Sequence, residues 1–104
     1  MSIYNLQQQV DAWIQQYKIS YFPPLEILAR LAEECGEVAR EVNHRFGSKP
    51  KKATEETREL GEEIADVIFT LCCLANAQGI NLDESRKVVM DKCYGRDNGR
   101  WEKK

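Results

Sequence analysis

Six carboxylates fall into two short stretches of this sequence. LAEECGEV carries Glu33, Glu34 and Glu37, and LGEEIADV carries Glu62, Glu63 and Asp66. The second stretch repeats the first 29 positions later: Leu31 aligns with Leu60, Glu33 with Glu62, Glu34 with Glu63, Glu37 with Asp66 and Val38 with Val67. On a helix each residue turns about 100°. With Glu34 at zero, Glu37 falls near 300° and Glu41 near 340°, while Leu28, Leu31, Cys35, Val42 and Phe46 fall between about 60° and 120°. With Glu63 at zero, Asp66 falls near 300°, and Leu60, Ile64 and Leu71 between about 60° and 100°. Each stretch therefore borders an apolar stripe with acids, in the same phase. Two helices packed by those stripes as an antiparallel hairpin would bring the acidic edges together.

Converging carboxylates repel. Two unit charges about 5 Å apart cost roughly 3 kcal/mol at an effective dielectric near 20. Glu34, Glu37, Glu63 and Asp66 together need protons, basic side chains or a cation. An all-oxygen donor set without His or Cys favours a hard ion, Mg²⁺ or Mn²⁺. A single Glu-x-x-Glu is ordinarily a solvated helix edge. Two copies in one phase, each beside a core stripe, are the pattern of a metal site.

The elements that must hold these acids are legible from periodicity. Leu6, Val10, Trp13, Ile14 and Tyr17 recur at helical spacing and predict a first helix over about 3–18. SYFPP breaks it, and Pro24 suits the first turn of a second helix that runs to Gly47. GSKPKKAT is a loop, with Lys49, Lys51 and Lys52 keeping it solvated. Thr54 is the expected N-cap of a third helix, with Glu55 and Glu56 in its first turn and an end at Gly79. A fourth helix starts at Asn81 or Asp83 and runs through DESRKVVMDKCY, followed by the basic segment GRDNGRW. No stretch alternates like a strand. The fold class is all-α, in one domain over 1–104.

Composition excludes several classes. Hydrophobic residues are 42% and charged residues 31%, the balance of a folded soluble chain rather than a disordered one. A net charge of -2 offers no bulk attraction to nucleic acid or anionic lipid, so neither nucleic acid nor membrane is an expected partner. No apolar run reaches the roughly 20 residues of a bilayer span, and the first residues lack a secretory pattern. Cys35, Cys72, Cys73 and Cys93 form no C-x-x-C pair. They read as reduced thiols, mostly in the core, which fits the cytoplasm. A chain of this length buries a modest core alone, so its amphipathic helices are expected to complete it as a homodimer or homotetramer.

LAEECGEVAREVNHRFG followed by LGEEIADVIFTLCCLA resembles the MazG-type all-α nucleotide pyrophosphohydrolases, whose signature is E-E-x-x-E on one helix and E-x-x-D on a later one. YFPPLEILARLAEE, EVNHRFGSKPKKAT and RDNGRW resemble the YpjD-like branch, and the likeness spans nearly the whole chain. It implies a four-helix bundle that hydrolyses a nucleoside triphosphate to monophosphate and pyrophosphate, with a house-cleaning role against non-standard nucleotides. It also implies Mg²⁺ on Glu34, Glu37, Glu63 and Asp66, with Glu33 and Glu34 in the catalytic set. The basic segment that such proteins place near the phosphates matches Lys92 and Arg96, with Arg100 beyond it. Phosphoribosyl-ATP hydrolysis is a related activity on the same fold.

Two other readings stand beside this one. One is a non-catalytic helical interaction module whose acids are only surface. The other is a di-iron carboxylate protein, because Glu41-Val-Asn-His44 is a Glu-x-x-His; such proteins need two of these and the chain has one. His44 otherwise reads as a polar residue at a helix end. Trp13 and Trp101 read as core or interface residues, with base stacking as the other use of an exposed indole.

Overall fold

The computed structural model describes residues 1–48 and 59–104. They form α1 (Ile3–Ile14), α2 (Pro24–Phe46), α3 (Leu60–Ala77) and α4 (Leu82–Tyr94), with no strand among the described residues. The lysine loop and the expected cap Thr54, with Glu55 and Glu56, lie outside them.

Local chemistry explains most of the boundaries. Ser2 caps α1 through a reciprocal capping box with Asn5. The helix stops at Ile14 rather than near residue 18. Tyr17 N–H bonds back to Ile14 C=O at 3.1 Å in a tighter turn, and Ser20 then takes a left-handed backbone (φ 54°). Pro24 occupies the first turn of α2, where its missing N–H costs nothing. Gly47 does end α2, but in extended rather than left-handed backbone (φ -91°, ψ 179°). The described α3 begins at Leu60, because Glu59 is extended (φ -75°, ψ 136°). Its acidic first turn is therefore Glu62 and Glu63. Gly79, at φ 70°, closes α3 with a Schellman pattern: Ile80 N–H bonds Ala75 C=O at 2.8 Å, and Gly79 N–H bonds Asn76 C=O at 3.2 Å. Asn81 immediately caps α4, which leaves α3 at 110°.

The packing corrects one expectation. Arg45 near the end of α2 meets Glu59 before α3 at 3.3 Å, while Glu34 meets Glu63 and Asp66, so the hairpin is antiparallel as expected. It does not pack by its apolar stripes. Ile27, Glu41 and Glu63 are buried and Glu34 is half-buried; on α2, Ile27, Glu34 and Glu41 share one line along the helix. The stripe residues Leu28, Val42, Ile64 and Leu71, with Ile68 beside them on α3, are instead between 41% and 56% exposed. Since the helices are antiparallel and the stripes lie on the same rotational side of each facing line, both stripes open to one common side.

The apolar core sits elsewhere. Val10 of α1 packs on Cys72 and Cys73 of α3, with Leu6, Ile14, Tyr21 and Leu82 around them. Cys35 and Cys93 are exposed, so only half of the cysteines are core residues. Trp13 and Trp101 are also exposed rather than core. α4 buries none of its own residues and packs mainly on α1. The radius of gyration, 17.2 Å, exceeds the roughly 13 Å of a compact chain of about this length.

One polar side chain ties α1 to the α3–α4 corner. Gln7 is 2% exposed; its amide donates to Ile80 C=O at 2.7 Å and to Asn76 Oδ1 at 3.0 Å, and accepts from Leu82 N–H at 2.8 Å. Asp83 of α4 in turn accepts from the first-turn N–H groups of Ile3 and Tyr4 in α1. Gln7→Leu keeps the volume and strands these groups, each costing about 1–3 kcal/mol when left unpaired. Urea unfolding should show a loss of at least roughly 2 kcal/mol; an unchanged midpoint would mean that water replaces the amide.

Candidate metal centre

The α2–α3 interface places Glu34, Glu63 and Asp66 together. One carboxylate oxygen from each lies within 4.8 Å of the others. Glu34 comes from the middle of α2, and Glu63 and Asp66 are three residues apart on the face that α3 turns toward it. Glu63 is 2% exposed, and the other two are half-buried. Opposite ligand oxygens stand about 4.2 Å apart around Mg²⁺ and about 5 Å apart around Ca²⁺. Three oxygens at this spacing, with no sulfur or imidazole among them, fit a hard divalent ion. Glu62 and Glu63 sit at the positive end of the α3 dipole, which stabilises their ionised carboxylates.

The other expected site residues fall outside this group. Glu37 is half-buried one turn beyond Glu34 and is ion-paired with Arg40. Glu33 is exposed on α2. Lys92 and Arg96 are exposed, Lys92 in the last turn of α4 and Arg96 just after it, and neither makes an ion pair with Glu34, Glu63 or Asp66. Arg96 pairs with Asp97 at 3.1 Å, and Arg100 approaches the same carboxylate while lying over Trp101. Glu41 is buried and His44 half-buried at the far end of α2, so this histidine is not a simple solvated helix end.

A cavity of about 350 Å³ opens one helical turn from the acids. Trp13, Tyr17, Phe22 and Phe69 supply its aromatic walls, and Arg30 and Thr70 line the acid-side helices. Arg30 is four residues before Glu34, and Thr70 four after Asp66. Thr70 Oγ1 donates to Asp66 C=O at 3.0 Å, which ties the cavity wall to the acid-bearing turn. Tyr21 closes the inner end. Burial, together with the bond that its hydroxyl donates to Asp11 at 2.6 Å, pushes the phenol up to about 12, so it stays neutral. Burial likewise pushes the Cys72 and Cys73 thiols up and keeps them protonated. Apart from Trp13, sequence reasoning singled out none of these wall residues for a site. The available signal was the aromatic run around SYFPP and the recurrence of polar residues one turn beyond each acid.

The chain matches the MazG nucleotide pyrophosphohydrolase domain over residues 22–101. Protein YpjD of Bacillus subtilis strain 168 is 54% identical over 100 residues, covering 96% of this chain and 90% of that protein. YvdC of the same organism is 35% identical over 68 residues, or 60% of this chain and 64% of that one. Among solved structures, the candidate pyrophosphatase YpjD from Bacillus subtilis superposes with a TM-score of 0.79 at 53% identity, covering 88% of this chain and 94% of that one. The Bacillus-conserved MazG protein, a nucleotide pyrophosphohydrolase, gives 0.77 at 42% identity, with 88% of each chain covered.

An ion that binds only the folded chain stabilises it by RT ln(1 + [L]/Kd), about 2.7 kcal/mol at a hundred times Kd. Millimolar Mg²⁺ should therefore raise the melting temperature. Asp66→Asn, which keeps the shape and removes one charge, should abolish the rise. A variant with the full Mg²⁺ response would exclude Asp66 as a ligand.

Proposed function

The chain belongs to the MazG nucleotide pyrophosphohydrolase family and is such an enzyme, and from that premise we propose a Mg²⁺-dependent cleavage of nucleoside triphosphates. The supporting observation is the three-oxygen group of Glu34, Glu63 and Asp66, in which Glu34 and Glu63 occupy matching positions of the two acidic stretches. These residues would hold the ion, with Mn²⁺ an acceptable substitute, and Glu37 would add a further carboxylate once released from Arg40. When bound, the ion offsets triphosphate charge and lowers the pKa of a coordinated water. Glu33, exposed beside Glu34, orients the attacking water. Water adds at the α-phosphorus, the bond to the bridging oxygen breaks, and pyrophosphate leaves the monophosphate. Lys92 and Arg96 supply cationic contacts to the phosphates. The aromatic cavity, lined by residues one helical turn from the acids, receives the base. A house-cleaning role in the cytoplasm, on non-standard nucleotides, completes the reading.

The exposed stripes of α2 and α3 support a second proposal about the same enzyme. A homodimer, or a homotetramer built from it, would cover Leu28, Val42, Ile64, Ile68 and Leu71 with the same residues of another copy. That is bundle packing across a symmetry axis.

Two measurements test these proposals. A pyrophosphate-release assay over standard and damaged triphosphates should find turnover that Glu37→Gln lowers by roughly a hundredfold or more, since removing one charge-stabilising group typically costs that much. Turnover unaffected by Glu37→Gln at limiting Mg²⁺ would remove it from the ligand set. Sedimentation at micromolar concentration should show an assembly that Ile68→Glu dissociates, and a stable wild-type monomer would end the dimer proposal.

A further inference from the structure

We infer that Arg30 grips the non-bridging oxygens of the α-phosphate, the phosphate that stays with the nucleoside when pyrophosphate leaves. The inference rests on the reading above, with the base in the aromatic cavity and the phosphates at the acids. Arg30 lies between the two. It lines the cavity, and along α2 it stands one turn, about 5.4 Å, before Glu34. With Glu34 at zero it falls near 320°, on the same side of α2 as Glu37. Thr70 spans the same gap on α3, where its hydroxyl bonds Asp66 C=O at 3.0 Å. A nucleotide whose base fills the cavity and whose phosphates run to the acids passes Arg30 with the first group beyond its sugar.

The side chain is kept for a ligand rather than spent on a neighbour. Glu26, Glu33 and Glu34 stand at i−4, i+3 and i+4 from it, the spacings at which helix ion pairs form. Among the described residues Arg30 pairs with none of them. The other arginines of α2 do pair, Arg40 with Glu37 and Arg45 with Glu59. The Arg30 guanidinium instead stands 5.8 Å from the centroid of the Phe22 ring, over one cavity wall. Burial pushes the Cys73 thiol of the α3 wall up and the Arg30 charge opposes it, so the cation also stands near that helix. A guanidinium lying over a ring still offers its N–H fork to two oxygens of one phosphate. Charge balance calls for such a group. α3 carries Glu62, Glu63 and Asp66 and no basic residue, and a divalent ion offsets only part of the charge of these acids and a triphosphate. When a water oxygen replaces the bridging oxygen on the α-phosphorus, both non-bridging oxygens remain. The Arg30 contact therefore lasts from substrate to monophosphate, and Lys92 and Arg96 are left for the departing pyrophosphate.

Calorimetric binding at saturating Mg²⁺ tests this without turnover. The probes are the nucleoside and the 5′-monophosphate of the best-hydrolysed triphosphate, which differ only in the α-phosphate, and inorganic pyrophosphate. Wild-type enzyme should hold the monophosphate roughly tenfold or more tighter than the nucleoside, the usual worth of a hydrogen-bonded charge. Arg30→Met keeps a long stem and a good helix former, and should bring the two affinities together by weakening the monophosphate alone. Pyrophosphate affinity should not change. Arg30→Lys should fall between, since it keeps the charge and loses the planar fork. A monophosphate advantage that survives Arg30→Met would overturn the inference. So would an equal loss for nucleoside and monophosphate, which would move the guanidinium to the base, or an equal loss for monophosphate and pyrophosphate, which would make it a general field. Failure of the cavity reading looks different: Trp13→Ala would then leave nucleoside affinity unchanged, and the inference would fall with it.

Discussion

Carboxylates turned into a helix–helix interface constrain everything else in this chain. Glu63 is buried, and Glu34 and Asp66 come close enough that their charges oppose one another across the hairpin. The facing line of α2 and α3 is thus partly polar, with Ile27 and Val38 interspersed among acids. Side chains that would ordinarily fill such an interface lie a quarter-turn away. The arrangement trades core for chemistry, and the hairpin carries little apolar glue of its own on that line.

Stability has to come from the flank. α1 lies along α3 opposite the open stripe, and the small Val10, Cys72 and Cys73 cluster fills the space between them. Because that cluster is small, directional bonds share the task of fixing α1. Gln7 reads the α3–α4 corner through three hydrogen bonds, and Asp83 returns two bonds to the start of α1. The same placement of α1 creates the cavity. After Ile14 the chain swings through Ser20 and Phe22 before α2 begins, and the turn carries its aromatic side chains past the wall formed by Phe69 and Thr70. α1 and the turn after it thus both brace the acid-bearing hairpin and wall the pocket beside it.

Much of this was legible in the sequence, for identifiable reasons. Helical spacing gives all four helices, and prolines and Gly79 give most of the breaks. The phase of the two acidic stretches brings Glu34, Glu63 and Asp66 together. Hydrophobicity points to the wrong inward side of each helix, because the interface itself is partly polar. Periodicity reports that one face differs from another; it cannot say which face meets a partner from the same chain. One end, that of α1, falls earlier than the spacing predicts for local reasons. Residues 15–18 are compatible with helix, but the tightened turn at Tyr17 and the left-handed Ser20 redirect the chain. Glu59 is a good helix former that the structure holds extended. The pairing of Glu37 with Arg40 is an i,i+3 choice that spacing permits without requiring. The cavity could not be read at all, since its walls come from α1, the following turn, α2 and α3.

Glu63 also lies only four residues into α3. Its N–H and that of Glu62 both bond to the C=O of Glu59, at 3.2 Å and 3.0 Å, so Glu63 stands on the opening turn of the helix. Helix ends open and close on the sub-microsecond scale of local unwinding, far faster than two packed helices separate. A cation gripped there is coupled to that breathing. The residence time of such a cation would depend on how often one turn unwinds, and its binding would in turn protect those amide protons from exchange with solvent.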